Sequence, residues 1–125
     1  MTRIFLVDDE PDIANPLKTG LEKKGFIVDS FTDPQEALAQ YKPKAYDLLL
    51  IDIRMPKLNG FELVREIRKT DSDSIVWFFT AFDVYDEEFK KMFPNHDVKS
   101  FIRKPISASD LADKINEKLG SEKQP

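Results

Sequence analysis

An α/β domain built on a parallel sheet with both faces covered is predicted by three observations. Short runs of β-type apolar residues alternate with amphipathic helical segments, and five such strand–helix units fit the chain. Two of the runs, Asp47 to Ile51 and Ile75 to Phe79, are too uniformly apolar for half-exposed strands and belong in the centre of a sheet. Polar residues also stand at the ends of the runs: Asp8 and Asp9 after Ile4 to Val7, Asp52 after Leu48 to Ile51, and Thr80 after Phe79. Lys104, followed by Pro105, ends the shorter stretch Val98 to Ile102, with Arg103 between.

Taken in order, Ile4 to Val7 is the first strand. Ile13, Leu17 and Leu21 mark a helix that stops near Gly25. Pro16 lies inside that pattern and removes a backbone donor. Either the helix is kinked there, or the regular helix begins with Asn15 as cap and Pro16 in its first turn. Phe26 to Phe31 alternates as a second strand near the sheet edge. Asp33-Pro34 with Glu36 reads as an N-cap, a first-turn proline and a capping-box partner for a helix running to about Tyr41. After the central third strand, Asn59-Gly60 forms a turn or cap, and Phe61, Val64 and Ile67 mark the buried stripe of a third helix. The fourth strand leads to a shorter, acidic-headed helix over Val84 to Phe93, which Pro94 must end. Val98 to Ile102 is the fifth strand, and Ser109 to Leu119 the last helix, capped by Ser107 or Ser109. One domain over residues 1–120 and a short, frayed polar tail over 121–125 are expected.

Composition narrows the function. With no cysteine and one histidine, His96, the sequence holds no disulfide, thiolate zinc site, thiol nucleophile or histidine cluster. The net charge of -4, with basic residues scattered among acidic ones, offers no footprint for direct nucleic-acid binding. No apolar run approaches the roughly 20 residues that span a bilayer, and Met1-Thr2-Arg3 leads straight into a strand, so a cytoplasmic protein without membrane insertion is expected.

If the runs are neighbouring parallel strands, their polar ends meet at one edge of one sheet, where open α/β sheets bind ligands. Three carboxylates gathered there repel one another and need a cation to stay ionised together. Without histidine or cysteine nearby, that cation is a hard, oxygen-loving one.

These residues resemble the response-regulator receiver domain, the phosphoacceptor module of two-component signalling. The resemblance covers essentially the whole chain. It rests on Asp8-Asp9, on Asp52 with Met55-Pro56 and Asn59-Gly60, on Thr80-Ala81 and on Lys104-Pro105, in the family's order and approximate spacing. It implies a flavodoxin-like three-layer sandwich with a five-stranded parallel sheet of order 2-1-3-4-5, and a cis Lys104-Pro105 bond. It also implies that Asp52 is phosphorylated by a histidine kinase, a phosphotransfer domain or a small acyl phosphate. Mg²⁺ is then bound by Asp8, Asp9, Asp52 and the backbone carbonyl of Arg54. Lys104, the Thr80 hydroxyl and the Ala81 amide receive the phosphoryl oxygens, Thr80 and Phe101 act as the switch, and Arg54 and Phe82 tune water access. The domain is then a catalyst of its own phosphorylation and dephosphorylation, without turnover of an external substrate.

Output is expected through a downstream protein bound at the fourth helix, fifth strand and last helix, where Tyr85, Phe89 and Phe93 are candidate anchors. The chain is expected as a monomer or a weak phosphorylation-dependent dimer. Alternative readings are the amino-terminal receiver of a longer regulator and a phosphate-independent protein-binding module. A flavin binder is disfavoured because Asp8-Asp9-Glu10 replaces the Ser, Thr or Gly that cradles phosphate. An external phosphatase lacks a declared second acid.

Overall fold

The computed structural model describes residues 2–80, Lys91 and residues 101–123, with backbone only for Thr80 and for 120–123. The described elements are β1 (Arg3–Val7), α1 (Pro11–Lys23), β2 (Ile27–Phe31), α2 (Pro34–Gln40), β3 (Leu48–Asp52), α3 (Gly60–Ile67), β4 (Val76–Thr80), β5 (Phe101–Arg103) and the last helix (Ala108–Lys123). The five strands form one sheet of order β2-β1-β3-β4-β5, and every pairing is parallel. The helix expected over 84–93, and with it Tyr85, Phe89 and Phe93, lies outside the described residues. So do Ala81, Phe82, Pro94, His96 and the start of the expected fifth strand.

Strand side chains alternate between faces, and this explains why the central runs are apolar throughout. Phe5, Val7, Leu49, Ile51 and Phe78 point into a core shared with Ala37 of α2 and Phe61, Val64 and Ile67 of α3. Ile4, Leu6, Leu48, Leu50, Trp77 and Phe79 point the other way, onto Leu17 and Leu21 of α1 and Leu111, Ile115 and Leu119 of the last helix. Each face buries its own hydrophobic layer, the three-layer arrangement of a doubly covered sheet. Close helix contact on the second face needs Gly20, because a Cβ there would collide with the Ala108 side chain.

Local chemistry sets the element ends. Gly25 at φ 96° closes α1 in a Schellman motif, its N–H donating to the Glu22 carbonyl and the Phe26 N–H to the Leu21 carbonyl. Phe26 therefore belongs to the cap rather than to β2, and its buried ring packs with Leu21 in one core. Helix α1 runs unbroken from Pro11 through Pro16, so the reading with Asn15 as cap does not hold. Asp12 and Pro16 are both exposed, and water can serve the carbonyl that Pro16 leaves without a donor.

At α2, the Asp33 carboxylate accepts from the Gln35 N–H, one position short of a capping box with Glu36. The full box is at α3, where Asn59 accepts from the Glu62 N–H and the Glu62 carboxylate accepts from the Asn59 N–H. Ser107, not Ser109, caps the last helix by accepting from the Asp110 N–H at 3.0 Å. That helix runs over Ala108–Lys123, longer at its end than the Ser109 to Leu119 expected from the sequence.

At the end of the molecule away from the polar cluster, buried Asp71 clamps two loops. It accepts from Tyr41 Oη at 2.6 Å and from the Lys44 N–H at 2.9 Å, and its other oxygen takes the Asp73 and Ser74 amides. Burial disfavours its charge, but these donors outweigh burial and hold the carboxyl below the usual range.

The loop between β3 and α3 is drawn tightly back on the strand. Ile53 and Met55 sink into the first core, and the Gly60 N–H donates to the Ile53 carbonyl at 2.8 Å. A Cβ at Gly60 would collide with the Asp52 carbonyl, so only glycine lets α3 start this close. The chain makes the turn by placing Lys57 at φ 71°, a left-handed conformation that disfavours an L side chain. Lys57 is exposed. Lys57→Gly is expected to raise stability by about 0.5–1 kcal/mol, read as a higher urea midpoint with an unchanged slope; a lower midpoint would contradict this account of the loop.

Candidate functional site

Register alone brings the polar residues together. Val7 pairs with Ile51, so Asp8 and Asp52 emerge side by side from adjacent central strands. Asp52 pairs with Phe79, Phe79 with Ile102 and Thr80 with Arg103, which carries Lys104 to the same edge. The Lys104-Pro105 peptide is cis, as expected.

The side chains then meet. Lys104 Nζ lies 2.8 Å from Asp8 Oδ2 and 3.3 Å from Asp52 Oδ1. Asp8 is 0% exposed and Asp52 4%. Asp8 Oδ1 accepts from the Glu10 N–H at 2.9 Å and so turns the chain into α1. Asp8 Oδ2 receives no aligned hydrogen bond, and its contact with the ammonium is ionic. Asp9 is half-buried, and its carboxylate clusters within 4.8 Å of those of Asp8 and Glu10. The Lys104 ammonium also stands over the face of Phe79, 4.5 Å from the ring centroid.

Charge and burial are in conflict here. Desolvation, followed by repulsion from Asp8, pushes the Asp52 carboxyl from about 4 up to about 7, although Lys104 pulls the other way. Burial likewise penalises the Lys104 charge, but the close carboxylates of Asp8 and Asp52 outweigh it and hold the ammonium pKa above the ordinary lysine value. Three carboxylates against one ammonium leave a local charge of about -2, which one divalent cation would cancel. An all-oxygen donor set with a buried carboxylate oxygen lacking an aligned donor fits a hard cation such as Mg²⁺. Among the described residues, Asp8, Asp9 and Glu10 bring carboxylate oxygens within 4.8 Å of one another, and Asp52 joins Asp8 through their shared Lys104.

The remaining expected residues divide by position. Arg54 has an exposed side chain at the start of the β3–α3 loop. Thr80 ends β4, and its side chain, like Ala81 and Phe82, lies outside the described residues. Phe101 is half-buried, with its ring 5.7 Å from Phe78 and 6.4 Å from Phe61. Two residues beside the cluster were not among the candidates. Glu10 was legible as the third acid of a run, whereas Phe79 reads from sequence only as core.

Because burial raises the Asp52 carboxyl, the folded state prefers its protonated form. The associated stabilisation is present below the unfolded value of about 4 and is lost as pH rises toward 7. In metal-free protein, Asp52→Asn is expected to raise stability at pH 8 by on the order of 2–4 kcal/mol, with little gain at pH 4. Urea melts at both values check this. Equal gains would show that Asp52 carries no burial penalty.

Comparison with known proteins agrees with this geometry. The family model for the response regulator receiver domain matches residues 4–116. The transcriptional regulatory protein QseB of Haemophilus influenzae is 34% identical over 113 residues, which cover 90% of this chain and 50% of that protein. The chain spans about half the length of the curated relatives it matches.

Among solved structures, a CheY-like receiver domain protein from Methanospirillum hungatei superposes with a TM-score of 0.82 at 29% identity, covering 98% of this chain and 96% of that one. The response regulator TrrA of Thermotoga maritima, solved with Mg(2+)-BeF, has a TM-score of 0.72 at 31% identity, covering 94% and 98% of the two chains. TrrA has also been solved in complex with the histidine kinase ThkA. By its family match, fold and strand-edge cluster, this chain belongs to the response-regulator receiver domain family.

Proposed function

We propose that this receiver domain accepts a phosphoryl group on Asp52 in the presence of Mg²⁺ and uses the modified state to alter a protein-binding surface. The observation that carries the reading is the Lys104 ammonium held between Asp8 and Asp52 at the carboxyl edge of the sheet. In this reading an Asp52 oxygen attacks phosphorus. A new P–O bond forms, and the bond from phosphorus to the donor breaks with its electron pair leaving on the donor. A carboxylate is a weak base but a competent nucleophile, and its acyl phosphate is labile enough to reset.

Asp8 and Asp9, with Asp52 and the Arg54 carbonyl, are the proposed holders of Mg²⁺. When bound, the ion supplies positive charge to offset the carboxylates and the incoming phosphoryl oxygens. Lys104 is placed to exchange its contact with Asp52 for one with a phosphoryl oxygen, and the Thr80 hydroxyl and Ala81 amide are the further donors. Arg54 and Phe82 remain the candidates for limiting water access.

The phosphodonor is proposed to be a histidine kinase or a phosphotransfer domain, which the complex of TrrA with ThkA supports. Output through β5 and the last helix is supported by an open groove lined by Phe101, Ile102, Arg103, Asp110, Asp113 and Lys114. Phe101 lacks a hydroxyl, so any inward preference of its ring must come from apolar burial against Phe61 and Phe78. No described helix is long and apolar enough to cross a membrane.

Incubation with acetyl phosphate and Mg²⁺ is expected to add one phosphoryl group by intact mass. The adduct should disappear in Asp52→Asn and without metal. An adduct that persists in Asp52→Asn would overturn the assignment of the acceptor. Absence of both an adduct and beryllofluoride binding by folded protein would favour a phosphate-independent binding module.

A further inference from the structure

Phe79 is fully buried and would pass for ordinary core, yet one face of its ring meets the Lys104 ammonium at 4.5 Å from the centroid. The Lys104 side chain is only 9% exposed, so little water reaches it. An ammonium carries three N–H donors. Asp8 and Asp52 stand close enough to use part of that capacity, at 2.8 and 3.3 Å, and the electron-rich ring face occupies a side that water would otherwise solvate.

A lysine stem is long and flexible, and here it has competing carboxylates. Lys104 and Phe79 both line a pocket of about 520 Å³ whose other walls include the exposed acids Glu10 and Asp12 and Ile13 and Pro16 of α1. The buried pair attracts the ammonium but at the cost of removing it from water, a cost that turning toward the exposed Glu10 and Asp12 would avoid. Phe79 is held rigidly, because its backbone is paired on one side with Asp52 and on the other with Ile102. An aliphatic residue would fill the same volume and present no attractive face.

We infer that Phe79 is a positioning residue for Lys104: its ring face holds the ammonium between Asp8 and Asp52 and disfavours its turning toward Glu10 and Asp12 across the pocket that both residues line. The inference rests on the proposed role of Lys104 toward a phosphoryl group. It explains why an aromatic ring lies under the site's only described ammonium.

The test compares the full chain with Phe79→Met, which keeps most of the volume without a ring, and with Phe79→Tyr, which keeps the face. Phe79→Leu serves as a second ring-free variant. The first readout is the NMR shift of the Lys104 ε-methylene protons, assigned through Lys104→Arg. Ring shielding is expected in the native protein and in Phe79→Tyr, and an ordinary lysine shift in the ring-free variants. The second readout is beryllofluoride affinity with Mg²⁺, expected to weaken about tenfold without the ring and to recover with Tyr. An unchanged lysine shift in folded ring-free protein would overturn the inference, as would Tyr binding no better than Met. If native protein binds no beryllofluoride, the proposed function fails, while the lysine shift still decides whether Phe79 holds Lys104.

Discussion

A desolvated corner that holds two buried carboxylates, a third half-buried one and, among the described residues, a single ammonium is the constraint on which this molecule turns. Burying charge is expensive unless each charge is paired. Here the pairing is incomplete by design of the strand register, since Asp8 and Asp52 share Lys104 and Asp9 stands beside them. The push of Asp52 up to about 7 is the local signature of that incompleteness. A site left short of positive charge in its resting state is suited to gain from a divalent ion, and after phosphoryl transfer from rearranged contacts.

The rest of the fold tolerates that corner because it is closely packed elsewhere. Both faces of the sheet are covered, and the central strands contribute alternate side chains to two separate cores. The β3–α3 loop is anchored by Met55, by the Gly60 approach to the Asp52 carbonyl and by the Asn59–Glu62 capping box. These fix the backbone carrying Asp52, so strain at the carboxylate has few ways to relax. At the far end, Asp71 meets four donors and behaves as a satisfied buried carboxylate should. The contrast between Asp71, held low by its donors, and Asp52, pushed high by burial and Asp8, marks Asp52 as the buried carboxylate whose charge is incompletely compensated.

Much of this was legible in the residues. Uniform apolar runs identified β3 and β4 as central, and polar residues at strand ends located the site, because a parallel sheet necessarily aligns those ends. The errors were local. Pro16 was an uncertain helix interior because sequence does not show that its orphaned carbonyl lies on the exposed side. Phe26 looked like strand because an apolar residue after Gly25 can begin a strand or close a Schellman motif with equal ease. Gly20 and Gly60 needed the packing of other elements to explain them, since their requirement is the approach of Ala108 and of the Asp52 backbone. Phe79 was hidden for the same reason: periodicity assigns it to the core, and only the cross-strand position of Lys104 reveals a second use for its ring.

The central claim is that burial and Asp8 raise the Asp52 carboxyl to about 7, so that the proposed binding of a cation at the cluster draws it into its ionised form. Calorimetric titration with Mg²⁺ at pH 6.5, in buffers of different ionisation enthalpy, measures the protons released on binding. Release of a substantial fraction of one proton per ion, abolished in Asp52→Asn and fading by pH 9, is the predicted result. Magnesium binding with no proton release at pH 6.5 would contradict the account.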